Sequence, residues 1–273
     1  MKKHILIYLA GIIVLSACGN ASNKEREKES NAQEETEASS ESAQFVNQIE
    51  KAHKKSSFLR KGALQFDMKL IFGGKLRFDG SIKMTPNGDM VKMQDSSRTI
   101  YWDGATVKLS PDTASEAGAR FDVLTWSYFF AAPFKLSDPG VNHEYLGSSP
   151  LAGESFKATK MTFDQGVGDS PDDWYIVYKN QENDLLAAMA YIVTYSKSQD
   201  VAEQDPHAIT YEAYTDVDGI PFATQWNFWS WNSQGETQKL LGEAIISNIN
   251  FIEFEKGDFI PATASKVVEK PAT

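Results

Sequence analysis

Cysteine is nearly absent from this chain: one, Cys18, stands in 273 residues. No intramolecular disulfide can form, and no cysteine cluster can hold a structural zinc ion. Histidine is scarce as well. Beyond the first twenty residues only His53, His143 and His207 occur, far apart in sequence. That spacing argues against a histidine-built metal centre. It also offers no Ser–His or Cys–His pairing in a strand-to-helix elbow. Gly-x-Ser-x-Gly, dinucleotide and phosphate loops are missing, and so is any basic run of five. The net charge of −10 argues against phosphate backbones as electrostatic partners, so no nucleic acid is expected. These absences predict no catalytic residues, no metal and no cofactor. The protein is expected not to be an enzyme.

What is present begins at the amino terminus. Lys2 and Lys3 precede an apolar run from Ile5 to Leu15, and Leu15-Ser16-Ala17-Cys18 closes it. This is the layout of a secretory signal, with a run too short to span a bilayer, which takes about 20 apolar residues. A small-residue site ending in cysteine resembles a bacterial lipobox. The resemblance implies that residues 1–17 are removed and that Cys18 carries lipid. Cleavage takes away two lysines and no acids, leaving −12. Two or more acyl chains hold a protein at a membrane almost permanently, at about 0.8 kcal/mol per buried CH₂. Gly19 is not the aspartate associated with inner-membrane retention in some bacteria, so the outer membrane is expected. Residues 18–44 then read as the lipidated cysteine and a disordered acidic tether. They contain no aromatic residue and no apolar periodicity. As a coil the tether reaches on the order of 30 Å. Its glutamates are either a plain solvated spacer or an address, since acids after the lipidated cysteine resemble surface-export signals of Bacteroidota lipoproteins. The face of the membrane stays open.

The remaining chain reads as one domain, residues 45–260, followed by a frayed tail over 261–273. Phe45, Ile49, Ala52 and His53 fall at helical spacing and predict a first helix from Ser42 to Phe58, with His53 partly exposed. The period then changes to two. Leu64, Phe66, Met68, Leu70 and Phe72 alternate with polar residues, and Gly73-Gly74 turns the chain. Leu76, Phe78, Gly80, Ile82 and Met84 continue the alternation. Further strands are expected near 90–94, 99–102, 106–109, 143–146, 156–163, 174–180, 189–196, 209–215, 222–231 and 242–255. Residues 122–134 interrupt them with a segment apolar on every side, which predicts a buried helix. Short turns between consecutive strands exclude a parallel α/β sheet. The fold class expected is mainly β: a single curved antiparallel sheet, or unclosed barrel, of about eleven strands with helices plugging its concave face.

Two acidic turns stand out. Asp164-Gln-Gly-Val-Gly-Asp169-Ser-Pro-Asp172-Asp173 reads as a solvated hairpin tip whose side chains project outward. A calcium loop or a carboxylate pair for glycoside hydrolysis are the alternatives for it. Asp216-Val217-Asp218-Gly219 is a hairpin turn. In the strand that follows, Trp226 and Phe228 share one face, and Trp229 and Trp231 the other. Either both faces are covered, or one of them lines a ligand cavity or a sugar-stacking platform.

Tyr101-Trp102-Asp103-Gly104 leading into Val107-Lys-Leu-Ser-Pro111, together with Asp218-Gly219-Ile220-Pro221, resembles the Asp-Gly hairpins of the LolA/LolB-like lipoprotein-sorting fold. Pro133–Gly140 with Gly166–Asp173 looks like a sub-group of Bacteroidota outer-membrane lipoproteins. The resemblance covers roughly residues 45–254. It implies an unclosed barrel whose concave face holds an acyl chain, plugged in part by helices. The residues expected to line that cavity are Phe66, Met68, Leu70, Leu76, Phe78, Trp126, Phe129, Phe130, Trp226 and Phe228. Met and aromatic walls accommodate varied acyl shapes. The function expected is a membrane-anchored, monomeric, non-catalytic binder of a hydrophobic ligand. The alternative is a surface module for glycans or a partner protein, working through Trp229 and Trp231.

The anchor is directly testable. Replacing Cys18 by Ala is expected to release the protein from the membrane fraction or mislocalise it. Unchanged membrane association on fractionation would overturn the lipobox reading.

Overall fold

The computed structural model describes residues 39–270. The signal segment, Cys18 and most of the tether lie outside the described residues. Helix α1 covers residues 39–52, and α2 follows at Lys55–Phe58. The sequence predicts these as one helix. The break falls at Lys54, whose φ of 58° is left-handed and cannot continue a right-handed turn. Ser42, Phe45, Val46, Ile49 and His53 form the buried stripe of this segment. His53 is therefore not partly exposed as expected. It is fully buried, and its Nε2 accepts a hydrogen bond from the Leu186 N–H at 3.0 Å.

The strands run β1 Ala63–Phe72, β2 Lys75–Met84, β3 Val91–Asp95, β4 Thr99–Trp102 and β5 Val107–Ser110. Helix α3, Ala119–Ala131, then tightens into a 3₁₀ turn at Ala132–Phe134, where Pro133 sits. The second group is β6 Val141–Leu151, β7 Glu154–Phe163, β8 Tyr175–Lys179, β9 Leu186–Tyr191, β10 His207–Val217, β11 Ile220–Trp231 and β12 Thr237–Ile252, with the short α4, Gln199–Ala202, between β9 and β10. With the short β13, Lys266–Val268, these strands belong to one antiparallel sheet in the order β13-β5-β4-β3-β2-β1-β12-β11-β10-β9-β8-β7-β6. Its two end strands do not pair, so the sheet is not closed.

Two consequences of this order position everything else. Each group is a meander of neighbouring hairpins, and the two groups meet where β1 pairs with β12. The link from β5 to β6 therefore runs from one end of the sheet to the other. It carries α3 across the inner face.

The sheet has thirteen strands, slightly more than the roughly eleven expected. The tail supplies one of them. Lys266–Val268 forms β13 on the open edge of β5, Val268 is buried, and Lys266 pairs with Glu116 at 3.0 Å. A three-residue strand is too short to show a period in the sequence. Leu76 departs from expectation too. The β1–β2 register slips between Leu70 and Ile71, so Leu70 faces Phe78 while Ile71 faces Leu76. One extra residue reverses the faces beyond it. Leu76 is thus turned outward and 59% exposed, and it lines no cavity.

The core fills the space between the inner face and the helices. Phe130 stacks on Phe66 with centroids 3.9 Å apart, and Phe58 stacks on Phe134 at 3.8 Å. Such pairs contribute about 0.5–1.5 kcal/mol beyond the area they bury. At its other end α3 is fixed by charge. Arg98 binds the carbonyls of Ser115 and Ala117 and pairs with Asp122 at 2.9 Å in the first helical turn.

Burial pushes the His53 pKa from 6.5 down to about 3, against the pull of the Pro221 carbonyl. Between these values the unfolded chain takes up a proton that the native ring refuses. Stability supported by the neutral ring is complete above pH 6.5 and is lost as pH falls toward 3. His53→Gln keeps an acceptor for Leu186 N–H but cannot titrate. Denaturant unfolding from pH 6.5 to 4 is expected to show a wild-type loss steeper than the variant's by about 1.4 kcal/mol per pH unit.

Candidate functional site

Helix α3 has no polar side. Val123, Trp126, Phe129 and Phe130 are buried, while Phe121, Leu124, Thr125 and Tyr128 form a second, half-buried stripe at i, i+3, i+4, i+7. That second stripe faces a cavity of about 860 Å³. This falls in the range of about 300–1,000 Å³ typical of sites that enclose one small molecule. The far wall comes from both meanders: Phe72 and Met84 on one side, Val141, Phe163, Tyr175, Tyr191 and His207 on the other. Phe72 gains its place because its register partner is Gly242, where a Cβ would meet the Phe72 ring at 2.5 Å.

The floor is a row set by strand pairing. Met161, Tyr175, Tyr191 and His207 are direct neighbours across β7, β8, β9 and β10. The rings of Tyr175 and Tyr191 lie 5.9 Å apart, and Tyr191 and His207 5.8 Å apart. Tyr128 descends from α3 to within 5.8 Å of Tyr175.

The rim carries charge. Arg120 at the start of α3 grips Asp169 with two bonds, Nε–Oδ2 at 2.5 Å and Nη2–Oδ1 at 2.9 Å. Lys135 joins Asp138 at 2.7 Å and donates to the Asn87 carbonyl at 3.0 Å. Asp173 accepts from both the N–H and the hydroxyl of Thr194, at 2.6 and 2.7 Å. Burial nevertheless pushes its pKa up to about 6, helped by Asp172 and opposed by the Thr194 bonds and Lys197.

The acidic hairpin is thus only partly the solvated tip expected. Asp164 and Asp172 are exposed, bonded to Asn142 and Gln165. Asp169 and Asp173 fold back onto the cavity rim instead. Their partners, Arg120 and Thr194, are remote in sequence, so no local pattern announces them.

Of the residues expected to line the cavity, Trp126 and Phe129 do so. Phe66, Met68, Leu70, Phe78, Phe130, Trp226 and Phe228 are buried in the layer between α3 and the sheet. Phe228 supports Trp126 and Phe129 from below at 5.8 and 6.2 Å. Tyr128, Tyr175, Tyr191 and His207 were not anticipated. Both faces of the segment 174–178 are aromatic or aliphatic, so alternation alone does not say which side looks inward.

Trp229 and Trp231 lie on the opposite face of the sheet. They cover Ala158, Ala188, Ala190 and Ala208 together with Tyr178. The Trp229 indole donates to Thr210 at 3.3 Å, and Trp174 meets Trp231 edge-on at 66°. The indoles are half-buried over small residues and do not form a flat platform.

No family model matches the chain, and no curated protein matches it. Among solved structures, it is similar to a LolA superfamily protein of Nitrosomonas europaea. The TM-score is 0.48 and the identity 12%, over 77% of this chain and 96% of that one. It is also similar to a DUF1329 family protein of Desulfovibrio piger, with a TM-score of 0.43 and 12% identity, over 80% and 98% of the two chains.

Asp173 has a raised pKa, so the native protein binds a proton more readily than the unfolded chain between about pH 4 and 6. Its ionisation therefore lowers stability as pH rises through that window. Asp173→Asn keeps an acceptor for Thr194 and removes the charge. It is expected to raise stability at pH 8 by on the order of 1–3 kcal/mol, with the gain gone at pH 4, as read from melting curves at both pH values.

Proposed function

We propose that this protein is a lipid-anchored, non-catalytic binder of a lipid or another hydrophobic molecule in a bacterial cell envelope. Cys18 is the attachment point and the outer membrane the site. The observation that carries this reading is the second apolar stripe of α3. A helix side made of Phe121, Leu124, Thr125 and Tyr128 is only half covered by the protein and opens into a cavity walled by Phe72, Phe163, Tyr175 and Tyr191. Apolar walls gain about 25 cal/mol for each Å² that a ligand takes out of water. An acyl chain is the ligand such walls suit.

A binding role rather than a hydrolytic one is supported by the state of the polar groups. Asp169, Asp138 and Asp173 on the rim are each engaged by a protein partner. Nε2 of His53 and Nε2 of His143 each meet a backbone group, not a nucleophile. Among the described residues no helix is long and apolar enough to cross a membrane. Membrane attachment in this reading rests on Cys18.

Native mass spectrometry of the full chain carrying Cys18→Ala, purified without detergent, is expected to show co-purified lipid. The same chain is expected to bind the apolar fluorophore N-phenylnaphthylamine and to release it to lipid. Leu124→Arg places a charge in the cavity wall and should weaken that binding about tenfold or more. Bare protein that binds no apolar probe would remove the proposal.

A further inference from the structure

The tyrosines of the inner face fall into two sets. Tyr211 and Tyr214 donate their hydroxyls to protein acceptors, the carbonyls of Phe129 and Leu186 at 3.1 and 2.7 Å. Tyr175 and Tyr191 are buried and Tyr128 is half-buried; among the described residues none of their hydroxyls meets a protein partner, and all three line the cavity. Three phenol donors converge on one apolar floor. None of these hydroxyls is sealed from solvent; each is open to the cavity, where a ligand oxygen can accept its proton.

The charges facing the floor indicate what completes it. Asp173 acts on all three phenols and Asp138 on Tyr128, both raising their pKa values together with burial. Lys197 is the cation beside Asp173 and His207. Lys135 neutralises Asp138, whereas among the described residues no salt bridge reaches Asp173, so the floor faces one uncompensated carboxylate. A carboxylate entering it meets like charge, while an uncharged acceptor oxygen does not.

Resting on the reading of the cavity as a hydrophobic-ligand site, we propose that Tyr128, Tyr175 and Tyr191 seat the neutral ester or hydroxyl oxygens of an acylated amphiphile, and that the site selects an ester-linked acyl chain over a free fatty acid. The chain lies along Phe121, Leu124 and Phe72. The oxygens at its head take the three phenol protons. A neutral head also needs no counter-ion inside the fold.

The test uses the full chain with Cys18→Ala and three competitors of bound N-phenylnaphthylamine at pH 8: monoolein, oleate and oleylamine. Monoolein is expected to bind more tightly than oleate. Each of Tyr128→Phe, Tyr175→Phe and Tyr191→Phe should lower the ratio of monoolein to fluorophore affinity by about three- to tenfold. Asp173→Asn should narrow the gap between monoolein and oleate. The hydroxyls hold nothing in the protein, so the phenylalanine variants are expected to melt with the parent. Fluorophore binding without any preference for monoolein, or a preference untouched by all three phenylalanine variants, overturns the tyrosine seat while leaving the cavity reading intact. Oleylamine displacing more strongly than monoolein also overturns it, because the carboxylate would then be the recognition element. A chain that binds neither fluorophore nor monoolein overturns both.

Discussion

The path of the chain from β5 to β6 sets the constraint on which the other features depend. These strands lie near opposite ends of a thirteen-stranded sheet, so the link between them must cross the inner face. A polar link there would bury backbone and side-chain groups without partners. The sequence answers with a helix that is apolar all round. One side of it packs on the sheet through Phe130 on Phe66, and the other is left to a space no protein element fills. The cavity follows from the crossover. Arg98 and Arg120 then hold the start of the helix through Asp122 and Asp169, and the aromatic turn at Phe134 holds its end.

Much of this was legible in the residues. Alternation from Leu64 to Met84, the Gly-Gly and Asp-Gly turns and the apolar segment before Pro133 are local signals, and the elements they predict are present. What failed did so for non-local reasons. A bulge opposite Ile71 reversed Leu76, and nothing near Leu76 encodes it. β13 exists because β5 offers an open edge, not because three residues have a strong strand propensity. Trp126 and Phe129 of α3 reach the cavity, whereas Phe130 of the same helix and the sheet residues expected to line it do not. Phe66, Met68 and Leu70 face inward as expected, yet α3 lies on top of them, so they support the site without reaching it. The tyrosine row depends on register across β8, β9 and β10, which the sequence does not state.

The site concentrates the groups that a fold selected for stability alone would avoid. Asp173 is held ionisable in a half-buried position, and three phenols lack acceptors beside it. Elsewhere several buried polar groups are engaged, Lys179 by Gln48 and Asp184, Thr159 by the Glu144 carbonyl and Tyr214 by Leu186, while Ser42 Oγ, Trp226 Nε1 and Trp231 Nε1 meet no protein partner.

The meeting of β1 with β12 also governs the order in which the molecule can form. Within each meander strands consecutive in sequence pair with each other, and simple hairpins close in microseconds. Met68, however, must find Ile246 at nearly the other end of the domain. Closing so long a loop costs entropy that only the finished contact returns. The two meanders are therefore early structures and their junction a late one. Phe72 belongs to the first meander and Tyr191 to the second, so the cavity between them exists only after that final step. Until then the apolar side of α3 has neither sheet nor ligand to cover it, and the half-folded chain is at its most aggregation-prone.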